Sequence, residues 1–354
     1  MATDLLSFGL ASHPEKAAVI CDERSLSFLS VHRRANCLVE YFRESGLKIG
    51  DRVALVAKNE IQYLEIQVAC MRAGLILVPI NFRLAPPEIS YILNDSTPGL
   101  VIAGHEFGET LAGIDAPPTL LLDQEYEKLV SGENDRELDA IDLNRDCTIL
   151  YTSGTTGRPK GAVLTNQALY SRINANYYEY RVRPTDVFLQ CLPLFHIASN
   201  VTWSYACGGA TNIFLKEFHP LAVLDLIEKY NVTTALLVPT MINTLIHQPE
   251  VEGASLSSLD KIAYGASSIP PSVLSRAIDL LGCGFLQLYG MTETSATTVL
   301  RPEHHDPINR PDLLPSAGTA GVGMDVRIVD DDDRELAPGE IGEIACRGEV
   351  VMRG

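Results

Sequence analysis

The strongest constraint on the fold is the way short apolar runs alternate with amphipathic helices. RVALVA, LILVPI and LVIAG are apolar almost without interruption, and a helical pattern separates each from the next. A strand that is apolar at every position has both faces buried, as in a parallel sheet covered by helices on either side. FLSVHRRANCLVEYFRESG places Val31, Ala35, Leu38, Val39 and Phe42 on one helical face, with Gly46 as the stop. EIQYLEIQVACMRAG reads as a second helix closed by Gly74, and PPEISYILNDS as a short one opened by proline. Further on, NQALYSRINANYY, PLAVLDLIEKYN and PPSVLSRAIDLLG predict helices, and VFLQCL, TTALLV and FLQLYG predict strands. Residues 104–146 are polar and weakly patterned, which predicts a surface excursion. From about residue 316, VRIV, DDDDRELAPGE and IGEIACRG predict hairpins. The run Asp330–Asp333 reads as a solvated turn, because four adjacent carboxylates cannot all converge on one metal ion.

Composition narrows the partners. The chain has 354 residues, a net charge of −17 and an isoelectric point near 4.9. An acidic surface repels nucleic acid and anionic lipid, so neither is an expected partner. The longest apolar runs are too short to span a bilayer. The N-terminal segment carries Asp4 and no cationic stretch before an apolar core, which argues against a signal peptide. Eight cysteines are scattered singly, with no C-x-x-C spacing, and read as small buried apolar groups in a reducing compartment. The expected location is the cytoplasm.

The chemistry concentrates in TILYTSGTTGRPKGAVLTN, Thr148 to Asn166. TILYT predicts a strand and NQALYSRI a helix, so the loop from Ser153 to Gly161 is expected to join strand to helix. Gly154, Gly157 and Gly161 let the backbone approach a ligand closely. Ser153, Thr155 and Thr156 add hydroxyl donors, and Arg158 and Lys160 add charge. A plain turn needs one or two glycines, not this density of donors, and the set suits a polyphosphate. It is not a Walker loop: Pro159 precedes the lysine and Gly161 follows it. Proline also disfavours a helix opening at the lysine, so phosphate would be held without a helix-dipole clamp.

YTSGTTGRPKG resembles the signature of the adenylate-forming superfamily, which includes acyl-CoA synthetases, peptide-synthetase adenylation domains and beetle luciferases. PLFHIAS at 193–199, YGASSIPP at 264–271, LYGMTETS at 288–295 and IGEIACRG at 341–348 match its further motifs in order. ILVPINFRLAPPEISYILNDS is typical of its acyl-CoA ligases. The resemblance implies an α/β fold of two αβα-layered subdomains with mainly parallel sheets, plus part of a small β-barrel subdomain. Residues of about 26–184 would form the first, about 1–25 and 185–300 the second, and about 301–354 the incomplete third. It also implies a longer enzyme, with a C-terminal lid domain beyond Gly354.

The same resemblance assigns roles. Thr152, Ser153, Gly154, Thr155, Thr156, Gly157 and Lys160 would embrace the ATP phosphates, and Thr292 would hydrogen-bond the α-phosphate. Tyr289 would offer a flat face to adenine, with Gly265, Ala266 and Ser267 opposite and Gly290 and Met291 completing the nucleotide site. Glu293 would contact Mg²⁺, a hard cation that favours carboxylate oxygen. His196 would orient the acid at the mouth of its pocket. Ile197, Asn200, Val201, Trp203, Gly265, Leu288 and Gly290 would form the pocket wall. Lys160, Thr292, Glu293 and His196 are the expected catalytic group, with ATP, Mg²⁺ and coenzyme A as co-reactants. Amino-acid adenylation domains usually carry aspartate at the position of His196, where it pairs with the substrate amine. A histidine there points to a carboxylic acid without an α-amine, fatty or otherwise. Aryl acids, a carrier-protein acceptor, luciferase-type oxygenation, a domain that binds acyl-adenylate without turnover, and a homodimer all remain open at this level.

Overall fold

The computed structural model describes residues 4–136, 140–152 and 157–354. Six strands form one sheet, in the order Thr119–Leu122, Leu100–Gly104, Arg52–Val56, Ile76–Ile80, Asp146–Thr152, Lys160–Thr165; all neighbours are parallel except the last pair. The unbroken apolar runs serve two cores at once. Val53, Leu55 and Ile102 face one cluster, while Ala54, Val56 and Val101 face the other. The first cluster takes in helices Phe28–Glu44 and Gln62–Ala73, and the second takes in helix Pro86–Ser96. Ser27 caps the long helix by accepting the Ser30 N–H at 3.1 Å. Gly74 ends the next helix in the left-handed conformation, φ +68°.

The second sheet has nine strands, in the order Thr319–Ala320, Ser295–Leu300, Gly284–Met291, Lys261–Gly265, Thr234–Leu237, Val187–Gln190, Thr211–Phe214, Ala17–Cys21, Arg24–Ser27. Its centre, from Gly284–Met291 to Ala17–Cys21, is parallel, and both edges end in antiparallel hairpins. Leu237, Ile262 and Phe285 face helices Pro220–Tyr230 and Pro271–Leu281; Leu236, Ala263 and Leu286 face Tyr180, Val201 and Tyr205. The first cluster also contains Val19, Trp203 and Phe214 of the nine-stranded half, so the two halves share one buried layer. The expected α/β architecture with mainly parallel sheets is therefore found.

Two expectations need correction. Residues 104–146 are more than a surface excursion. Thr119–Leu122 extends the six-stranded sheet, and helix Gln124–Leu129 follows, capped by Asp123. Tyr126 of that helix is fully buried and donates to Glu65 at 2.6 Å, while Arg34 grips the same carboxylate at 2.5 and 2.9 Å. The glycine loop does not join strand to helix. KGAVLT forms strand Lys160–Thr165, antiparallel to Asp146–Thr152, and the helix opens only at Asn166. Alternation of half-buried and buried side chains through GAVLT favours a strand. The acidic run behaves as expected of a turn, since the Asp330 carboxylate accepts the N–H groups of Asp332 and Arg334 between strands Asp325–Val329 and Glu343–Arg347. Among the described residues, no helix is long and apolar enough to cross a membrane.

Candidate active site

A cavity of about 740 Å³ opens where strands of both sheets end. Asn81 follows Ile76–Ile80, Thr152 ends its strand, Leu192 follows Val187–Gln190, and Gly265 and Met291 end theirs. Ligands of open α/β sheets gather at such carboxyl ends. One wall is main chain. A side chain at Gly265 would collide with the Leu288 carbonyl, and one at Gly290 with the Ser295 carbonyl. Ala266 and Ser295, which also line the cavity, hold φ of +67° and +61°, strained values that the neighbouring strands enforce. The opposite wall is apolar, formed by Ile197 and Ala198 of the turn before helix Ser199–Cys207 and by Val201 within it.

The turn after Gly284–Met291 is tightly fastened. Met291 N–H donates to the Thr294 hydroxyl at 3.2 Å, and the Thr294 and Thr297 hydroxyls meet at 2.9 Å. The Glu293 carbonyl accepts from the Met352 N–H at 2.8 Å and from Arg172 Nη2 at 3.2 Å. Arg172 is fully buried, and its Nε donates to the Val350 carbonyl at 2.7 Å. Burial lowers its pKa to about 10, so it stays cationic at neutral pH. Thr292 and Glu293 thus reach the cavity from a backbone held from behind.

His196 stands at the mouth, exposed on one side, and the enclosing wall lowers its pKa below the ordinary imidazole value. The cavity brings together Thr152, His196, Ile197, Asn200, Val201, Gly265, Ala266, Leu288, Gly290, Met291, Thr292 and Glu293. Trp203 is not on the wall: it is buried in the layer shared by the two halves. Tyr289 and Ser267 are exposed and lie outside the lining, Tyr289 because alternate residues of its strand face opposite ways. Gly157 and Lys160 are exposed at the foot of the glycine loop, where Lys160 pairs with Thr152. Ser153, Gly154, Thr155 and Thr156 lie outside the described residues. The sequence motifs gave no sign of Asn176 and Tyr180 in the lining, nor of Arg172 behind it; Phe195 lies within PLFHIAS, but the motif does not single it out. A helical polar residue shows which way it faces only once the helix is packed.

Residues 9–354 match the AMP-binding enzyme family. A fatty acid–[acyl-carrier-protein] ligase, ScoC, of Streptomyces coeruleorubidus is 34% identical over 98% of this chain and 68% of its own length. A feruloyl-CoA synthase of an Amycolatopsis species is 34% identical over 96% of this chain and 68% of its own. The inhibitor-bound N-terminal domain of FACL13 from Mycobacterium tuberculosis superposes with a TM-score of 0.89 at 26% identity, covering 99% of this chain and 89% of that one. ATP-bound MatB from Rhodopseudomonas palustris superposes at 0.87 with 26% identity, over 100% and 72% of the two chains. The chain belongs to the AMP-binding enzyme family, and these sequence relatives are ligases that join acids to thiols.

Proposed function

We propose that this chain carries the acid-activating site of an acid–thiol ligase. A carboxylate oxygen attacks the α-phosphorus of ATP; the new O–P bond gives an acyl-adenylate, and the bond to the bridging oxygen breaks to release pyrophosphate. A thiol, of CoA in this reading, then takes the acyl group and AMP leaves. The observation that carries the proposal is one cavity joining an apolar wall to a polar rim of Thr152, Thr292 and Glu293.

In this reading the apolar wall holds the acyl group and excludes water. His196, neutral at pH 7, orients the carboxylate at the mouth without moving a proton. Thr292 donates its hydroxyl to the α-phosphate. Tyr289 offers its exposed ring to adenine beside Gly265, Ala266 and Ser267. The loop from Ser153 to Lys160 holds the outer phosphates, and Lys160 disperses charge on the leaving group. Among the described residues no cluster of three metal-ligating side chains occurs. A lone Glu293 fits Mg²⁺, which binds through one or two carboxylates together with substrate phosphates. Bound there, Mg²⁺ would offset charge on the phosphates. Glu293 is the single acidic side chain among the described lining residues, so the acyl region offers no counter-ion for a substrate amine. That supports an acid without an α-amine. Sheet membership supports a division near residues 26–184 and 1–25 with 185–300; within 301–354, strand Thr319–Ala320 still belongs to the nine-stranded sheet, and only Asp325–Val329 and Glu343–Arg347 pair apart from it. The unpaired cysteines suit the cytoplasm.

The test is ATP–pyrophosphate exchange with a panel of alkyl and aryl acids, alongside binding of a non-hydrolysable acyl-adenylate mimic. Acid-dependent exchange supports the reading. Mimic binding without exchange overturns the activating reading in favour of a binding domain, and the absence of both exchange and binding overturns it altogether.

A further inference from the structure

The buried part of the cavity is not uniformly apolar. Tyr180, at the C-terminal end of helix Asn166–Glu179, is fully buried and lines the cavity. Its ring is fixed edge-on to Tyr205 at 6.0 Å, and Tyr205 stacks on Phe188 at 4.4 Å. Asn200, on helix Ser199–Cys207, lines the same cavity at 4% exposure. Its main-chain groups are used within the helix, the N–H by Ile197 and the carbonyl by the Ser204 hydroxyl. Among the described residues, the Tyr180 hydroxyl and Asn200 Nδ2 have no hydrogen-bond partner. Burial keeps the phenol protonated, so the hydroxyl can donate. Buried donors are rarely left unpaired, since each forfeits its hydration.

We infer that Tyr180 and Asn200 are specificity-determining residues that read a hydrogen-bond acceptor on the acyl group, so the preferred acid carries an oxygen function (hydroxyl, ether or carbonyl) away from its carboxylate. The inference rests on the acid-activating reading above. The exposed residues Met291 and His196 mark the mouth, where the carboxylate belongs. Tyr180 and Asn200 mark the enclosed end. A site built to hydrogen-bond a substrate disfavours the analogue that lacks the group, because its own donors are then stranded.

The experiment uses matched acids: octanoate against 8-hydroxyoctanoate and 7-oxo-octanoate, and 3-phenylpropanoate against its 4-hydroxy and 4-methoxy forms. Exchange kcat/KM is measured for each pair, and binding of the free acids is measured separately by calorimetry. In at least one series the oxygenated member should be favoured by about ten-fold or more. Tyr180→Phe, which removes one atom, and Asn200→Leu should each reduce that ratio by about three-fold or more. Ratios at or below one in both series overturn the inference, as do ratios that both variants leave unchanged; a trapped water satisfying both donors would give that result. Discrimination in binding without any exchange would keep this inference and overturn the activating reading instead.

Discussion

Each sheet ends its functional side in an antiparallel hairpin, and the two hairpins are held very differently. The arms Gly284–Met291 and Ser295–Leu300 enclose a turn whose backbone is bonded on every side: Thr294 from within, Arg172 and Met352 from behind, and the Ser295 carbonyl packed against Gly290. The arms Asp146–Thr152 and Lys160–Thr165 enclose the glycine loop. There Gly157 has φ +84° with open space around its α-carbon, and the Pro159 carbonyl takes a long bond of 3.3 Å from the Tyr91 hydroxyl. A carboxylate proposed to meet a small, geometrically demanding cation gains from a fixed backbone. A loop proposed to wrap phosphates gains from room at its foot. Fold and ligand chemistry thus place rigidity in one hairpin and clearance in the other.

The largest expected effect tests the packing half of this contrast. Gly290→Ala sets a methyl group against backbone that cannot yield, and should destabilise the protein by about 3 kcal/mol in urea unfolding. Gly157→Ala meets open space and only the strain of a positive φ, about 1 kcal/mol. Equal losses would break the comparison. Lys160→Ala should slow adenylation by about 10²-fold with the acid's KM little changed; an unchanged pyrophosphate exchange rate removes Lys160 from the mechanism. Glu293→Gln should raise the Mg²⁺ requirement by about ten-fold, read both from exchange and from direct Mn²⁺ binding. Arg172→Lys keeps the charge but loses the fork that holds two carbonyls, so it should move the Mg²⁺ requirement in the same direction by less. If Arg172→Lys shifts the acid's KM as strongly as the metal requirement, Arg172 supports the fold at large and not the Glu293 turn. The smallest effect is on acid stability. His305 is buried, donating from Nδ1 to the Arg301 carbonyl at 3.0 Å and accepting from the Tyr264 hydroxyl at 3.0 Å. Burial lowers its pKa below the usual 6.5, and likewise that of His32. As pH falls through 6.5 the unfolded chain takes up protons that the folded chain refuses, so stability declines below that pH. His305→Gln should flatten the decline in a pH series of urea midpoints.

Elements with a long amphipathic face were legible: Phe28–Glu44, Gln62–Ala73 and Pro271–Leu281 end where their glycines predict. The short inner strands were harder. Thr211–Phe214 and Lys261–Gly265 have four and five residues, and their pairing partners are remote in the chain. Nothing within so short a window separates them from loop or helix end. Lys160–Thr165 was hidden because its first residues, Lys160 and Gly161, read equally as the end of the glycine loop, which leaves only four residues of alternation. The site was legible where a motif carried it, as at His196, Thr292 and Glu293. Trp203 stands two residues beyond Val201, about 200° around the helix, so it packs into the layer shared by the two halves and not onto the cavity that Val201 lines. Tyr180 and Asn176 were invisible because polar residues late in a helix read as solvated until packing encloses them.

The glycine wall also sets where this site can vary. Gly265 and Gly290 face main-chain carbonyls, so any larger residue at either position damages the sheet before it reshapes the cavity. Changes of substrate must therefore accumulate on the opposite wall, at positions such as Ile197, Asn200 and Val201, whose side chains line the cavity. Libraries aimed at new acids should diversify that wall and leave the sheet edge alone, and natural divergence of specificity should follow the same asymmetry.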